Sequence, residues 1–340
     1  MSLVLLTACG LGCVLACDRD APEPMGFRPD LQILETRPEP QDTAFPLERA
    51  LRLRFDRYLW PPSVVRQSVV VTPSLIDAET GAPKGPTVFF EPVYDPYDRI
   101  VVFQLASRAR WVPSTLHSVQ LLAPKDQADV VGFRAFDGAP LAEHVDFSFM
   151  TGDAVTDPSE DVDDVMPRVR YCEEDEGLAT LPAVAPVLRS SCALAGCHGS
   201  SPMLGLDLSG SAAIRNTVVR VVARQTMTGP SVAAPVTNPS RFGDDMPRLE
   251  PGNAGNSYLV YKLLVHAGNH PATGETLDAP DLWLGGMAPP GPPPLEELSR
   301  LRSWFVRGEP MPLGGHLGPD EMRAIVRWVL QGAPTADCAP

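Results

Sequence analysis

The stretch "ALRLRFD", residues 50–56, decides how the first half of the chain is read. Leu51, Leu53 and Phe55 alternate with Arg52 and Arg54, the period-two pattern of a strand with one apolar and one polar face. Further runs of β-formers lie on either side: "LQILET", "QSVVVTP", "TVFFEPV", "RIVVFQL", "LHSVQLLAP" and "VDFSFMT". Pro61, Pro62, Pro73 and Pro113 punctuate them, as the missing amide proton of proline requires near a sheet. Seven short strands within 31–152 predict an all-β sandwich. His117 and His144 fall inside or beside strand runs and are expected as surface or boundary histidines.

The 340 residues suffice for two domains, and a hydrophobic content of 44% allows ordinary packed cores. A net charge of −14 argues against nucleic acid as a partner, because such proteins carry a basic face. The 38 prolines and 27 glycines imply many turns and long connections.

The first sixteen residues, "MSLVLLTACGLGCVLA", carry no charge and read as the apolar core of an export signal. The run ends in "VLAC", which resembles a bacterial lipobox with Cys17 as the lipidated residue; "LTAC", ending at Cys9, is the alternative. A lipid on Cys17 would anchor the chain to the membrane of the cell envelope. Residues 17–30 then read as a Pro-rich tether. With the signal removed, four of the seven cysteines besides Cys17 remain: Cys172, Cys192, Cys197 and Cys338. An oxidising compartment favours bonded sulfur. Cys172 and Cys338 bracket the C-terminal half and are expected to form a disulfide, with a loop-entropy contribution of about 4–5 kcal/mol.

Residues 153–171, "DAVTDPSEDVDDVMPRVRY", are acidic and read as a linker. Asp161, Asp163 and Asp164 lack the Gly and Glu positions of a calcium loop, so solvation explains them. Beyond the linker the apolar spacing becomes helical. A helix leads into the cysteines, with Val184, Val187 and Leu188 on one face. Three more helices are expected in "NSYLVYKLLVHAG", "LEELSRLRSWFVRG" and "PDEMRAIVRWVLQGAP", the last two stopped by Gly308 and Gly332. Those two form an internal repeat, since Met287 and Met311, Glu297 and Glu321, Trp304 and Trp328, and Gly308 and Gly332 recur at a constant spacing.

"SCALAGCHGS", residues 191–200, carries the chemistry. Cys192, Cys197 and His198 form a C-x4-C-H pattern, a longer-looped form of the C-x-x-C-H that attaches a c-type haem. Two thioethers and an adjacent imidazole suit one porphyrin, because the second thioether and the iron ligand then lie on one side of it. A Cys192–Cys197 disulfide with His198 incidental is an alternative, and so is a zinc site drawing on His266, His270 or His316. Nucleophilic catalysis by either cysteine is the weakest reading, since nothing raises one thiol above the other.

Two family resemblances extend these readings. "ALRLRFDRYLWPPSV" and "DGAPLAEHVDFSFMTGD" resemble the opening and closing motifs of bacterial Ig-like domains of exported, surface-layer-type proteins. Such domains act as spacers or carriers. "PVLRSSCALAGCHGS", "LGLDLSGSAA", "LEPGNAGNSYLVYKL" and "MPLGGHLGPDEMRAIVRWVLQGAP" resemble, in that order, the cytochrome c-like domains of exported planctomycete and myxobacterial proteins. That likeness spans about 180–334, with an insertion around 265–310. It implies one covalent haem c, with His198 as proximal iron ligand and Met311 as distal ligand. Met287 is the alternative distal ligand and Met246 a weaker third. Met/His ligation favours electron transfer over oxygen binding.

The expectation is therefore a multidomain lipoprotein: signal 1–16, tether 17–30, Ig-like sandwich 31–152, linker 153–171 and a mainly α cytochrome c-like domain 172–340. It would carry electrons in the cell envelope to a redox partner protein, anchored to the inner or outer membrane and facing the periplasm or the cell surface, without enzymatic turnover. The alternative is a haem-free structural or adhesive surface lipoprotein.

Overall fold

The computed structural model describes residues 29–74, 90–106, 109–126, 129–153, 166, 168–172, 181–199, 202–223, 246–272, 282–306 and 308–335. Each of the seven strand runs becomes a strand: β1 Ile33–Arg37, β2 Leu51–Phe55, β3 Val69–Pro73, β4 Phe90–Asp95, β5 Ile100–Leu105, β6 Leu116–Leu121 and β7 Val145–Met150. They form two antiparallel sheets in the orders β1-β2-β5-β4 and β3-β6-β7. Leu51, Leu53, Phe55, Val101 and Phe103 meet Val119, Leu121 and Phe149 in the core of a sandwich-like N-terminal half.

The four-stranded sheet is covered on both faces. All five residues of β2 are buried, with Arg52 1% and Arg54 4% exposed. Among the described residues five α-helices follow the sheets: α1 Val184–Ser191, α2 Ser211–Thr217, α3 Tyr258–Leu264, α4 Leu295–Trp304 and α5 Pro319–Leu330. Their core takes in Ile100, Val102, Tyr58, Tyr97 and Phe136 from the β half. The order of layers is thus small sheet, large sheet, helices. Helix α2, in "SAAIRNT", was not anticipated; its seven residues bury only Ile214, too little for a periodic signal.

A buried arginine needs acceptors for its guanidinium. Arg52 Nε donates to the Trp283 carbonyl at 3.1 Å, and Arg54 Nη1 donates to the Ala288 carbonyl. Gly285 makes room for this: its φ is +56°, and a Cβ there would stand 2.7 Å from the Arg52 guanidinium. Beside them, with Asp95 and Arg54 both paired to Ile100 in the sheet, Arg327 of α5 donates to Asp95 at 3.1 Å and Asp98 at 2.8 Å, and Arg323 lies 3.5 Å from Asp98. Burial, with the Asp98 carboxylate beside it, pushes the Asp95 carboxyl up to about 6.

Glu297 of α4 ties the layers together too. Its Oε1 accepts the Tyr58 amide at 2.6 Å, and burial pushes its carboxyl from 4.5 up to about 7. Tyr58, Arg57, Arg99 and Asp56 are the groups that act on it. The fold favours the neutral acid, so this contribution is complete below the unfolded value of 4.5 and is lost as pH rises through 7. Urea titrations at several pH values should show Glu297→Gln erasing a decline of about 3 kcal/mol between acid and alkaline conditions. An unchanged pH dependence in the variant would refute the assignment.

His117 also departs from expectation. It is fully buried between Trp111 and Phe149, with ring centroids 5.1 and 5.2 Å away, and burial holds its pKa below the ordinary value. His144 is exposed, and its Nδ1 accepts the Ala123 amide at 2.9 Å. At the junction between halves Val169 and Tyr171 belong to the helical core, and Tyr171 stacks on Trp328 at 5.7 Å. The acidic run 161–164 lies outside the described residues.

Candidate functional site

Helix α1 delivers the cysteine loop. Val184, Val187 and Leu188 are buried on one face, and the first free amides of the helix donate to the carbonyls of Arg170 and Tyr171. Tyr171 rests on Trp328 near the C-terminal end of α5, whereas Cys192 senses Glu321 in the first turn of α5. The two helices therefore run antiparallel, and the cysteine loop sits at the N-terminal end of α5. That end is capped by Glu321, whose Oε2 accepts the Gly318 amide at 2.8 Å.

Cys192 closes α1, its amide bonded to Leu188 O at 2.9 Å. The chain then turns through Gly196, at φ +80°, and returns so that His198 N donates to Cys192 O at 3.2 Å. This hydrogen bond absorbs the longer C-x4-C loop and keeps cysteine and histidine backbones adjacent. Gly199 is required here, since a Cβ would lie 2.9 Å from Ala193 O. The His198 Nδ1 faces Leu206 O at 3.2 Å, and the Leu208 amide donates to His198 O at 2.7 Å. With the proton on Nδ1, Nε2 becomes the nitrogen able to ligate a metal.

Cys192 is 9% exposed, and burial, with Glu321 and Cys197 nearby, pushes its thiol up to about 12. Such a thiol stays protonated and unreactive as a nucleophile. Cys197 and His198 are half-buried. Cys192 and Cys197 carry free thiols, so the disulfide alternative is not realised between them. Cys172 is disulfide-bonded, and the expected partner, Cys338, lies outside the described residues. Cys9, Cys17, the signal and most of the tether also lie outside them. No helix among the described residues is long and apolar enough to cross a membrane.

The candidate methionines separate by environment. Met287 is 3% exposed, within the segment whose carbonyls accept from Arg52 and Arg54 against the sheet. Met246 is 3% exposed in the helical core. Met311 is only partly buried, at the margin of that core, in the segment leading into α5. Asn269, fully buried, was not singled out from sequence. Its Nδ2 donates to Met311 O at 2.9 Å and to Leu263 O at 2.8 Å, while its Oδ1 accepts the Leu317 amide at 2.7 Å. It clamps both ends of the Met311 loop. "HAGNH" carried the only hint, an amide side chain among helix breakers.

The zinc reading gains no support. His270 is buried, stacked on Tyr97 at 5.9 Å and bonded through Nε2 to Leu264 O at 2.7 Å. No group of three or more His, Cys, Asp or Glu among the described residues is arranged to hold a metal ion.

These residues fit a covalently attached haem in their donor set and surroundings. Two free thiols precede a histidine whose Nδ1 faces a backbone carbonyl. The loop and the segment after it present apolar surface: Leu194 is 48% and Leu204 61% exposed, and Ala193 and Leu206 are partly buried at the core margin.

No family model and no curated protein matches the chain. Among solved structures it is similar to CopC from Methylosinus trichosporium OB3b, at 15% identity and TM-score 0.22, covering 37% of this chain and 97% of that one. A second is PcoC, a copper resistance protein from Escherichia coli, at 13% identity and TM-score 0.22, covering 35% and 98%.

Proposed function

We propose that the chain is a c-type cytochrome lipoprotein of the cell envelope that carries single electrons. The reading is carried by the Cys192–Cys197–His198 loop, where a backbone hydrogen bond holds cysteine and histidine adjacent and the Leu206 carbonyl sets the imidazole. Cys192 and Cys197 would hold the haem by thioethers, with His198 Nε2 and the Met311 sulfur as iron ligands. A bound haem would supply a centre that gains and loses one electron.

The chain's own residues do the rest. The core around Cys192 excludes water, which limits solvent reorganisation when charge changes. Asn269 holds the Met311 loop in one position, and Leu206 fixes the ring of His198. The partly exposed position of Met311 supports it over Met287, whose side chain fills the core beside the sheet. Lipidation of Cys17, or of Cys9, would keep the carrier at the membrane, where a redox partner protein collects the electron. The Ig-like likeness of the β half adds a carrier body. Its outer sheet face is occupied by the helical half rather than left as a separate spacer.

The test is the absorption spectrum of protein made in a host with haem-attachment machinery. Sharp reduced bands that survive acid-acetone extraction are expected; a colourless protein of unmodified mass would reject the proposal. In the coloured protein Met311→Ala should abolish the methionine-to-iron charge-transfer band, and Met287→Ala should retain it. The reverse pattern would transfer the ligand role to Met287.

A further inference from the structure

β1 and β7 are the edge strands of their respective sheets, and they run side by side in the same direction. They are joined at both ends. Leu31 N donates to Pro140 O at 2.9 Å where Leu31 bridges Leu141, and Gln41 N donates to Ser148 O at 2.7 Å. Between these points no backbone hydrogen bond links 32–40 to 142–147 among the described residues. The β-bulge at Ile33–Glu35 lies within this interval, and bulges bend their strand. The two edges part to enclose a groove of about 790 Å³.

Its lining combines apolar and acidic side chains. Ile33, Val145 and Phe147 are partly buried along it, and Leu34 is 56% exposed. Asp30, Glu35, Glu39, Glu143 and Asp146 line it against one basic residue, Arg37, which pairs with Glu35 at 2.8 Å and Glu39 at 2.7 Å. Proteins ordinarily blunt a sheet edge with lysine or a covering segment, because an unpaired edge templates another strand. Here an apolar floor lies between two such edges, under an acidic rim.

We propose that this groove takes an extended, basic segment of a partner protein by strand addition. Main-chain hydrogen bonds to β1 or β7 would provide affinity, and alternate apolar and cationic side chains would meet the floor and the rim. A second copy of the chain is a poor occupant, since a net charge of −14 repels its like. The inference is independent of the haem.

The probe is a short synthetic peptide alternating valine and lysine, added to the full chain. Hydrogen exchange should slow at amides of 33–37 and 145–147. A glutamate-for-lysine peptide should not bind, and N-methylation of alternate peptide amides should abolish binding. Glu143→Lys combined with Asp146→Lys, both at exposed positions, should weaken it about tenfold or more. No binding, protection mapping elsewhere, undiminished binding of the N-methylated peptide, or sedimentation showing a dimer that closes the groove would each overturn the proposal.

Discussion

Asp98→Ala is expected to lower the unfolding free energy by about 3–5 kcal/mol, because it strips the counter-charge from two buried guanidiniums at once. Asp98 is fully buried, accepts from Arg327 at 2.8 Å and lies 3.5 Å from Arg323, whose exposures are 0% and 1%. Both arginines belong to α5, and Asp98 to the turn between β4 and β5, so the loss strikes the joint between helices and sheet. Urea denaturation followed by tryptophan fluorescence and far-UV circular dichroism gives the measurement. The wild-type chain should unfold in one transition by both probes, since one apolar core includes residues of both halves. Replacing Arg323 alone with methionine in the Asp98→Ala background should restore part of the loss, because Arg327 keeps Asp95 as its partner while the apolar side chain at 323 leaves no guanidinium stranded. A change under about 1 kcal/mol, or a β half that survives unfolding of the helices, would show that the network does not join the layers.

The second large effect concerns the cysteine loop. Cys197→Ala and His198→Ala, made with haem-attachment machinery present, should each reduce covalently bound haem to a small fraction of wild type. Cys197 is half-buried, so its loss leaves the helical core intact, and circular dichroism should be unchanged. Cys192→Ala should have the same effect on haem with an added stability cost of about 1 kcal/mol, since its side chain is part of the core. Haem content is read by the mass of the purified protein and by the extraction-resistant absorption. Full haem content in either of the first two variants would remove the loop from the proposed site.

Much of the fold was legible in local pattern. Every strand run stands as a strand, because alternation over five or six residues is a local property that the backbone obeys directly. The helix before the cysteines ends at Ser191, one residue before Cys192, and the expected stop glycines Gly308 and Gly332 have positive φ. Burial was less legible. His117 sits in a mixed strand, LHSVQL, and whether its face meets solvent or Trp111 depends on which sheet packs opposite. The cysteine loop could be named from spacing, but its orienting partners, the Leu206 carbonyl and the Asn269 amide, could not. A backbone carbonyl has no sequence signature, and Asn269 reaches Met311 across 42 positions of chain.

The sequence by itself determined the strands, the helix leading into Cys192, and the adjacency of Cys192, Cys197 and His198, because each depends on residues within one or two turns of chain. Only the tertiary structure decided that Arg52 and Arg54 lie beneath a helical layer, that Met287 is core while Met311 stands at its margin, and that β1 and β7 part to leave a groove. Those outcomes depend on what covers a face. Cover is supplied by segments some two hundred residues away, as when Trp283 offers its carbonyl to Arg52, so no local pattern records it.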